Sequence, residues 1–131
     1  MNTENNNAAN AIVWFEIPVL DLERATQFYQ TVLQTTLKPE EMGGTKMALF
    51  PNHGGENGVG GAIIQSPMHK PSDKGVVVYL NAGPDLQVAL SRVEKAGGTV
   101  TMPKTLIHET IGYMAFFIDS EGNSIALHSQ N

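Results

Sequence analysis

The sequence predicts an α+β fold of two βαβββ modules related by pseudo-twofold symmetry, and three observations carry that reading. The chain repeats itself once at an offset of 64 residues, so that Asp21-Leu22 falls on Asp85-Leu86, Ala25 on Ala89, Trp14 on Val78 and Ala62 on Ala126. With a slip of one to three residues in the loops, Met47-Ala48-Leu49-Phe50 lies on Met114-Ala115-Phe116-Phe117. Each copy then reads as a strand, a helix and three strands. Folds built from two such units place a ligand where the units meet.

Residues 12–19, IVWFEIPV, are β-branched and aromatic and predict a strand covered on both faces. Asp21 follows as a helix cap, and Leu22, Ala25, Phe28, Tyr29, Val32 and Leu33 recur at helical spacing, giving a helix over 21–34. Pro39, Gly43 and Gly44 divide the next stretch into short strands around Leu37, over 46–50 and over 60–65. The second copy predicts a strand over 76–80, a helix carrying Leu86, Ala89, Leu90, Val93 and Ala96 that stops at Gly97-Gly98, and strands over 99–102, 113–118 and 124–128. Each helix needs a sheet face on which to bury its apolar stripe. The other face of each sheet is expected to curl around a cavity, so that two mixed sheets form a cleft. Module one is read as 12–66, a Pro-containing linker as 67–74 and module two as 75–129, within a single domain over 12–131. The polar, Asn-rich segment 1–11 is read as a tail.

Composition narrows the function classes. A net charge of -5 with scattered basic residues argues against a nucleic-acid partner and against a polybasic membrane surface. The absence of cysteine removes disulfides, thiolate nucleophiles and Cys-zinc sites, which fits a reducing compartment. The first residues lack the basic and apolar regions of a secretory signal, so a cytoplasmic protein is expected. The glycine-rich stretch 51–61, PNHGGENGVGG, has no Lys-Ser/Thr and no following helix, and is read as a loop rather than a phosphate cradle.

The repeated unit, with FEIPVLDLERATQFYQTVL in one half and VEKAGGTV followed by FFIDSEGNSIALHS in the other, resembles the glyoxalase/bleomycin-resistance/dioxygenase, or vicinal oxygen chelate, superfamily over residues 12–129. It is most similar to small single-domain proteins related to lactoylglutathione lyase. The resemblance implies two modules whose curled sheets form a cleft, a small-molecule ligand or substrate, and a homodimer. Metal-dependent members hold a divalent cation with one residue near the start of the first strand and one in the last strand of each module. Those positions carry Trp14, Ala62, Val78 and Ala126 here. None offers the N, O or S donors a cation needs. No metal and no cofactor are therefore expected, and neither glyoxalase I nor ring-cleaving dioxygenase activity.

What remains for the cleft is a lining of Trp14, Ala62, Val78, Ala126 and Phe50, with two polar groups. Side chains two apart on a strand share a face, which sets Glu16 beside Trp14 and His128 beside Ala126. A carboxylate inside an apolar strand is costly unless it is partnered, and His128 is the partner the pattern proposes, as an acid/base pair. Alternation puts Tyr79 on the face opposite Val78, in ordinary core packing. His53, His69 and His108 fall in loops and are read as solvated, with His108 best placed of the three to reach over the cleft. Three functions fit: a metal-free protein that binds a small, partly apolar molecule; a metal-independent isomerase or lyase using Glu16 and His128; and a metalloenzyme with a displaced site built from Glu16, His128 and a loop histidine.

Overall fold

In the computed structural model, residues 10–53 and 58–131 are described; most of the expected tail and the centre of the glycine-rich loop lie outside them. The first module runs β1 (Trp14–Pro18), α1 (Leu22–Leu33), β2 (Lys38–Met42), β3 (Thr45–Leu49) and β4 (Gly60–Gln65). The second runs β5 (Tyr79–Asn81), α2 (Leu86–Leu90), α3 (Val93–Ala96), β6 (Thr99–His108), β7 (Gly112–Ile118) and β8 (Ser124–Ser129). The order of strands and helices is the predicted one, with the second helix broken in two.

Asp21 and Asp85 cap their helices as the repeat predicts. The Asp21 carboxylate accepts the Arg24 N–H at 3.1 Å, and that of Asp85 the Gln87 N–H at 2.9 Å. The helix α1 ends with Gln34 in the left-handed region at φ 52°, and α3 ends on Gly97 at φ 111°. Between α2 and α3, Ser91 turns its hydroxyl back onto the Val88 carbonyl, a local bond that competes with helix continuation.

The strands form two four-stranded mixed sheets, ordered β1-β4-β3-β2 and β5-β8-β7-β6, with the first pair of each parallel and the rest antiparallel. The sheets do not close on each other. Each module thus sends its chain from the edge strand through a helix and back across the sheet. The helices α1, α2 and α3 pack together between the two sheets' inner faces, burying Ile17, Val19, Phe28, Tyr29, Val32, Leu86, Val93, Phe117 and Leu127 in one shared core. The β2 strand is exposed throughout and carries Pro39, consistent with an edge that cannot be extended by another strand. No helix among the described residues is long and apolar enough to cross a membrane.

Candidate functional site

Strand register decides which side chains leave the core and reach the open face of each sheet. In module one Ile17 pairs with Ile63, and in module two Leu80 pairs with Leu127; all four point to the helices. Alternation sends Trp14, Glu16, Ala62 and Ile64 to the open face of the first sheet, and Tyr79, Asn81, Ala126 and His128 to that of the second. The placement of Val78 in the cleft is therefore corrected: it packs against the core, and Tyr79, expected in the core, is 49% exposed on the open face.

The cause is a single inserted residue. One residue separates Val19 from the capping Asp21, whereas two, Gly83 and Pro84, separate the equivalent Ala82 from Asp85. The equivalence of Val19 and Ala82 is set by their matching bonds, Val19 N–H to the Ile64 carbonyl at 2.9 Å and Ala82 N–H to the His128 carbonyl at 2.8 Å. The first strands are thus offset by one residue less than the helix caps, and a one-residue slip reverses every side chain. By register, Glu16 opposite Ala62 matches Tyr79 opposite Ala126.

Phe50 also leaves the expected lining. Its ring lies 5.5 Å from Phe15 and 5.8 Å from Tyr29, on the helix side of the sheet with Ala48. Ala62 and Ala126 are fully buried, forming the floor of their sheets beneath larger neighbours. Trp14 stays 45% exposed, as a flat wall of the first open face.

On the second sheet the open face carries a hollow of about 780 Å³, lined by Tyr79, Asn81, Ile107, Ile111, His128 and the C-terminal Gln130, among others. Tyr79 stands edge-on to Phe116 at 5.9 Å, which fixes the phenol as one wall. His128 Nε2 donates to the Ile111 carbonyl at 2.5 Å, because a carbonyl only accepts, so the ring carries a proton on Nε2. Gln130 donates to the same carbonyl at 3.1 Å. Apolar walls with a few polar groups at one end suit a small, partly apolar molecule.

Glu16 and His128 are not brought together: they lie on different sheets, and no hydrogen bond or ion pair joins them. Glu16 is instead held by two neighbours on its own face. The Trp14 indole donates to one carboxylate oxygen at 3.1 Å, and His69 Nε2 lies 3.0 Å from the other. His69, expected to be solvated, is the partner that the apolar-strand argument required. Nothing in the linker PMHKPSDK marks it in advance, because its approach to Glu16 depends on how the chain turns after β4.

The residues present do not fit the superfamily's cation. The four positions that the resemblance implies carry an indole, two alanine methyls and, after the register correction, either Val78 in the core or Tyr79 on the open face. Among the described residues no three His, Asp or Glu converge as a donor set.

The bleomycin resistance protein-like N-terminal family model matches residues 11–50. Among solved structures, the chain is similar to a glyoxalase/bleomycin resistance protein from Albidiferax ferrireducens T118, with 17% identity, a TM-score of 0.68, and coverage of 93% of this chain and 100% of that one. It is similar to a glyoxylase/bleomycin resistance protein/dioxygenase domain from Frankia sp. EAN1pec at 17% identity, TM-score 0.66, covering 96% and 100%. It is also similar to a genomically encoded fosfomycin resistance protein from Listeria monocytogenes at 14% identity, TM-score 0.62, covering 93% and 92%. No curated protein sequence matches the chain. Family model and structures agree with the resemblance read from the sequence: the chain has the fold of the solved glyoxalase/bleomycin resistance proteins.

Proposed function

We propose that this protein binds a small, partly apolar molecule on the open faces of its sheets, without a metal ion. The observation that carries the reading is the hollow over the second sheet, where Tyr79, Ile107 and Ile111 offer apolar surface and His128 and Asn81 offer polar atoms. Its size falls within the range of pockets for ligands of drug size. The alanine floors at Ala62 and Ala126, where the superfamily keeps cation donors, leave shape and hydrogen bonding as the means of recognition. Trp14 supplies the corresponding surface on the first sheet. Bleomycin and fosfomycin resistance proteins among the structural neighbours support a small organic molecule as the occupant.

A homodimer belongs to the same reading. The open faces expose Trp14 and Tyr79 together with Ile107 and Ile111, a quantity of apolar surface that a second copy would cover. A cytoplasmic setting is supported by the absence of cysteine.

A thermal-shift screen of small organic molecules, run with and without chelator, tests the proposal. Compounds of this class should raise the melting temperature equally in both conditions, and Tyr79→Ala and His128→Ala should each remove most of the shift. Stabilisation that vanishes with chelator, or about one equivalent of metal per purified chain by elemental analysis, would overturn the metal-free reading.

A further inference from the structure

The polar chain around Glu16 continues one residue further, to a serine. By alternation along β4 and just beyond it, Ser66 follows Ala62 and Ile64 on the open face of the first sheet. Its Oγ lies 2.7 Å from His69 Nδ1, and His69 Nε2 lies 3.0 Å from Glu16 Oε1. The Met68 N–H donates to Ser66 Oγ at 3.1 Å. The serine oxygen thus receives one hydrogen and has its own to give, while ionised Glu16 can only accept. With a neutral imidazole, the chain runs from the Ser66 hydroxyl, which donates to Nδ1, to the Nε2–H, which donates to Glu16. The Trp14 indole holds the second carboxylate oxygen at 3.1 Å and keeps Glu16 in line.

From this geometry we infer that Ser66 is an activated nucleophile, with His69 as its general base and Glu16 as the residue that positions and charge-balances the imidazole. A serine–histidine–carboxylate chain is recognised by the roles and distances of its groups rather than by their order in sequence. A simple turn at 66–69 needs only the Met68 bond to Oγ and the His69 N–H to the Ser66 carbonyl at 3.2 Å. It does not need an imidazole bridging to a carboxylate on a neighbouring strand. Ser66 and His69 are both partly exposed, so a reagent can reach them.

The substrate class is a small activated ester. Attack of Ser66 Oγ on the carbonyl carbon forms an Oγ–C bond and, as the tetrahedral species collapses, the bond between that carbon and the ester oxygen breaks. The hydroxyl proton passes to His69 Nδ1 and then to the departing alkoxide. Water next adds to the acyl group with its proton taken by Nδ1, and the carboxylic acid leaves as the proton returns to Ser66 Oγ. Glu16 stays ionised throughout and stabilises the transient imidazolium.

The test is covalent labelling of the full-length protein with p-nitrophenyl acetate and with an alkyl fluorophosphonate, read by peptide mass spectrometry. The expected result is an adduct on Ser66 that is absent from Ser66→Ala. Labelling should be at least about tenfold slower in Glu16→Gln and in His69→Ala, and added imidazole should restore part of the rate in His69→Ala alone. Imidazole rescue separates a chemical role from a structural one, because a misplaced linker would not respond to it. Melting curves of each variant confirm that it is folded. A folded wild-type protein with Ser66 unmodified by both reagents would overturn the inference, as would equal labelling rates in wild type and His69→Ala.

Discussion

Glu121, in the turn between the last two strands of module two, grips Arg24 on the first helix of module one through bonds of 2.8 and 2.9 Å. The same carboxylate accepts the backbone N–H groups of Leu20 at 2.9 Å and Asp21 at 3.0 Å. These are the donors at the turn that joins β1 to α1. The neighbours of Glu121 complete the joint. Asn123 donates to the Pro18 carbonyl at 2.7 Å and accepts the Ser72 N–H at 3.0 Å, and the buried Tyr29 hydroxyl donates to Asp119 at 2.5 Å. The segment Asp119-Ser120-Glu121-Gly122-Asn123 is therefore a staple between modules as well as a hairpin turn.

The Glu121 side chain is 0% exposed, while that of Arg24 is 52% exposed. Removing the carboxylate strands two backbone donors and an arginine, whereas removing the arginine leaves the carboxylate its amide partners. Glu121→Ala should therefore cost about 3–5 kcal/mol and Arg24→Ala roughly 1–2 kcal/mol. Chemical denaturation of both variants checks the order as well as the size. Equal losses would mean that the ion pair, rather than the amide cradle, holds the joint.

The same carboxylate makes stability depend on pH. Burial alone would raise its pKa, but hydrogen bonds from Arg24, Ser120 and the Asp21 and Leu20 amides outweigh burial and hold it at about 2, below the ordinary 4.5. A group depressed in the folded state stabilises fully above its unfolded value and loses that contribution as pH falls through the folded one. The loss should run from about pH 4.5 to about pH 2, with a slope approaching about 1.4 kcal/mol per pH unit between them. Urea titrations across that window should show the slope in wild type and a flatter profile in Glu121→Gln.

Gly98 is where module two's second helix turns into β6 against the first helix. A Cβ there would lie 2.6 Å from the Ile118 carbonyl oxygen and 2.8 Å from the Phe28 ring. Backbone cannot yield as a long side chain can, so Gly98→Ala should destabilise by about 2–3 kcal/mol despite adding only a methyl group. Gly97→Ala, with open space at the Cβ but φ at 111°, should cost about 1 kcal/mol or somewhat more through backbone strain alone. Thermal melts of the two variants would separate crowding from strain.

The parts of the fold that sequence made legible are those set by short-range chemistry. The caps Asp21 and Asp85, the apolar stripe from Ala25 to Val32, and the stop at Gly97 each follow from residues within one or two turns. The match of Met47–Phe50 to Met114–Phe117 is also real, since Leu49 lies opposite Ala62 as Phe116 lies opposite Ala126. What escaped was phase and long-range pairing. The insertion at Gly83-Pro84 is invisible to an alignment anchored on the helix caps, so Val78 and Tyr79 exchanged faces. His69 reaches Glu16 across 53 residues of chain, a separation on which neither spacing nor periodicity bears.

That exchange of faces makes opposite forecasts for two adjacent residues. Val78 packs against the core, so Val78→Ala should lower stability by about 1–2 kcal/mol and leave ligand affinity within twofold. Tyr79 stands on the open face beside the hollow, so Tyr79→Ala should change stability by roughly 0.5 kcal/mol or less. The lost aromatic wall should nonetheless weaken a bound apolar molecule about tenfold or more. Denaturation midpoints and calorimetric titration with a compound from the thermal-shift screen measure both quantities on the same preparations. The reverse pattern, with Val78→Ala impairing binding and Tyr79→Ala impairing stability, would place the binding face on the side of the sheet that carries Val78.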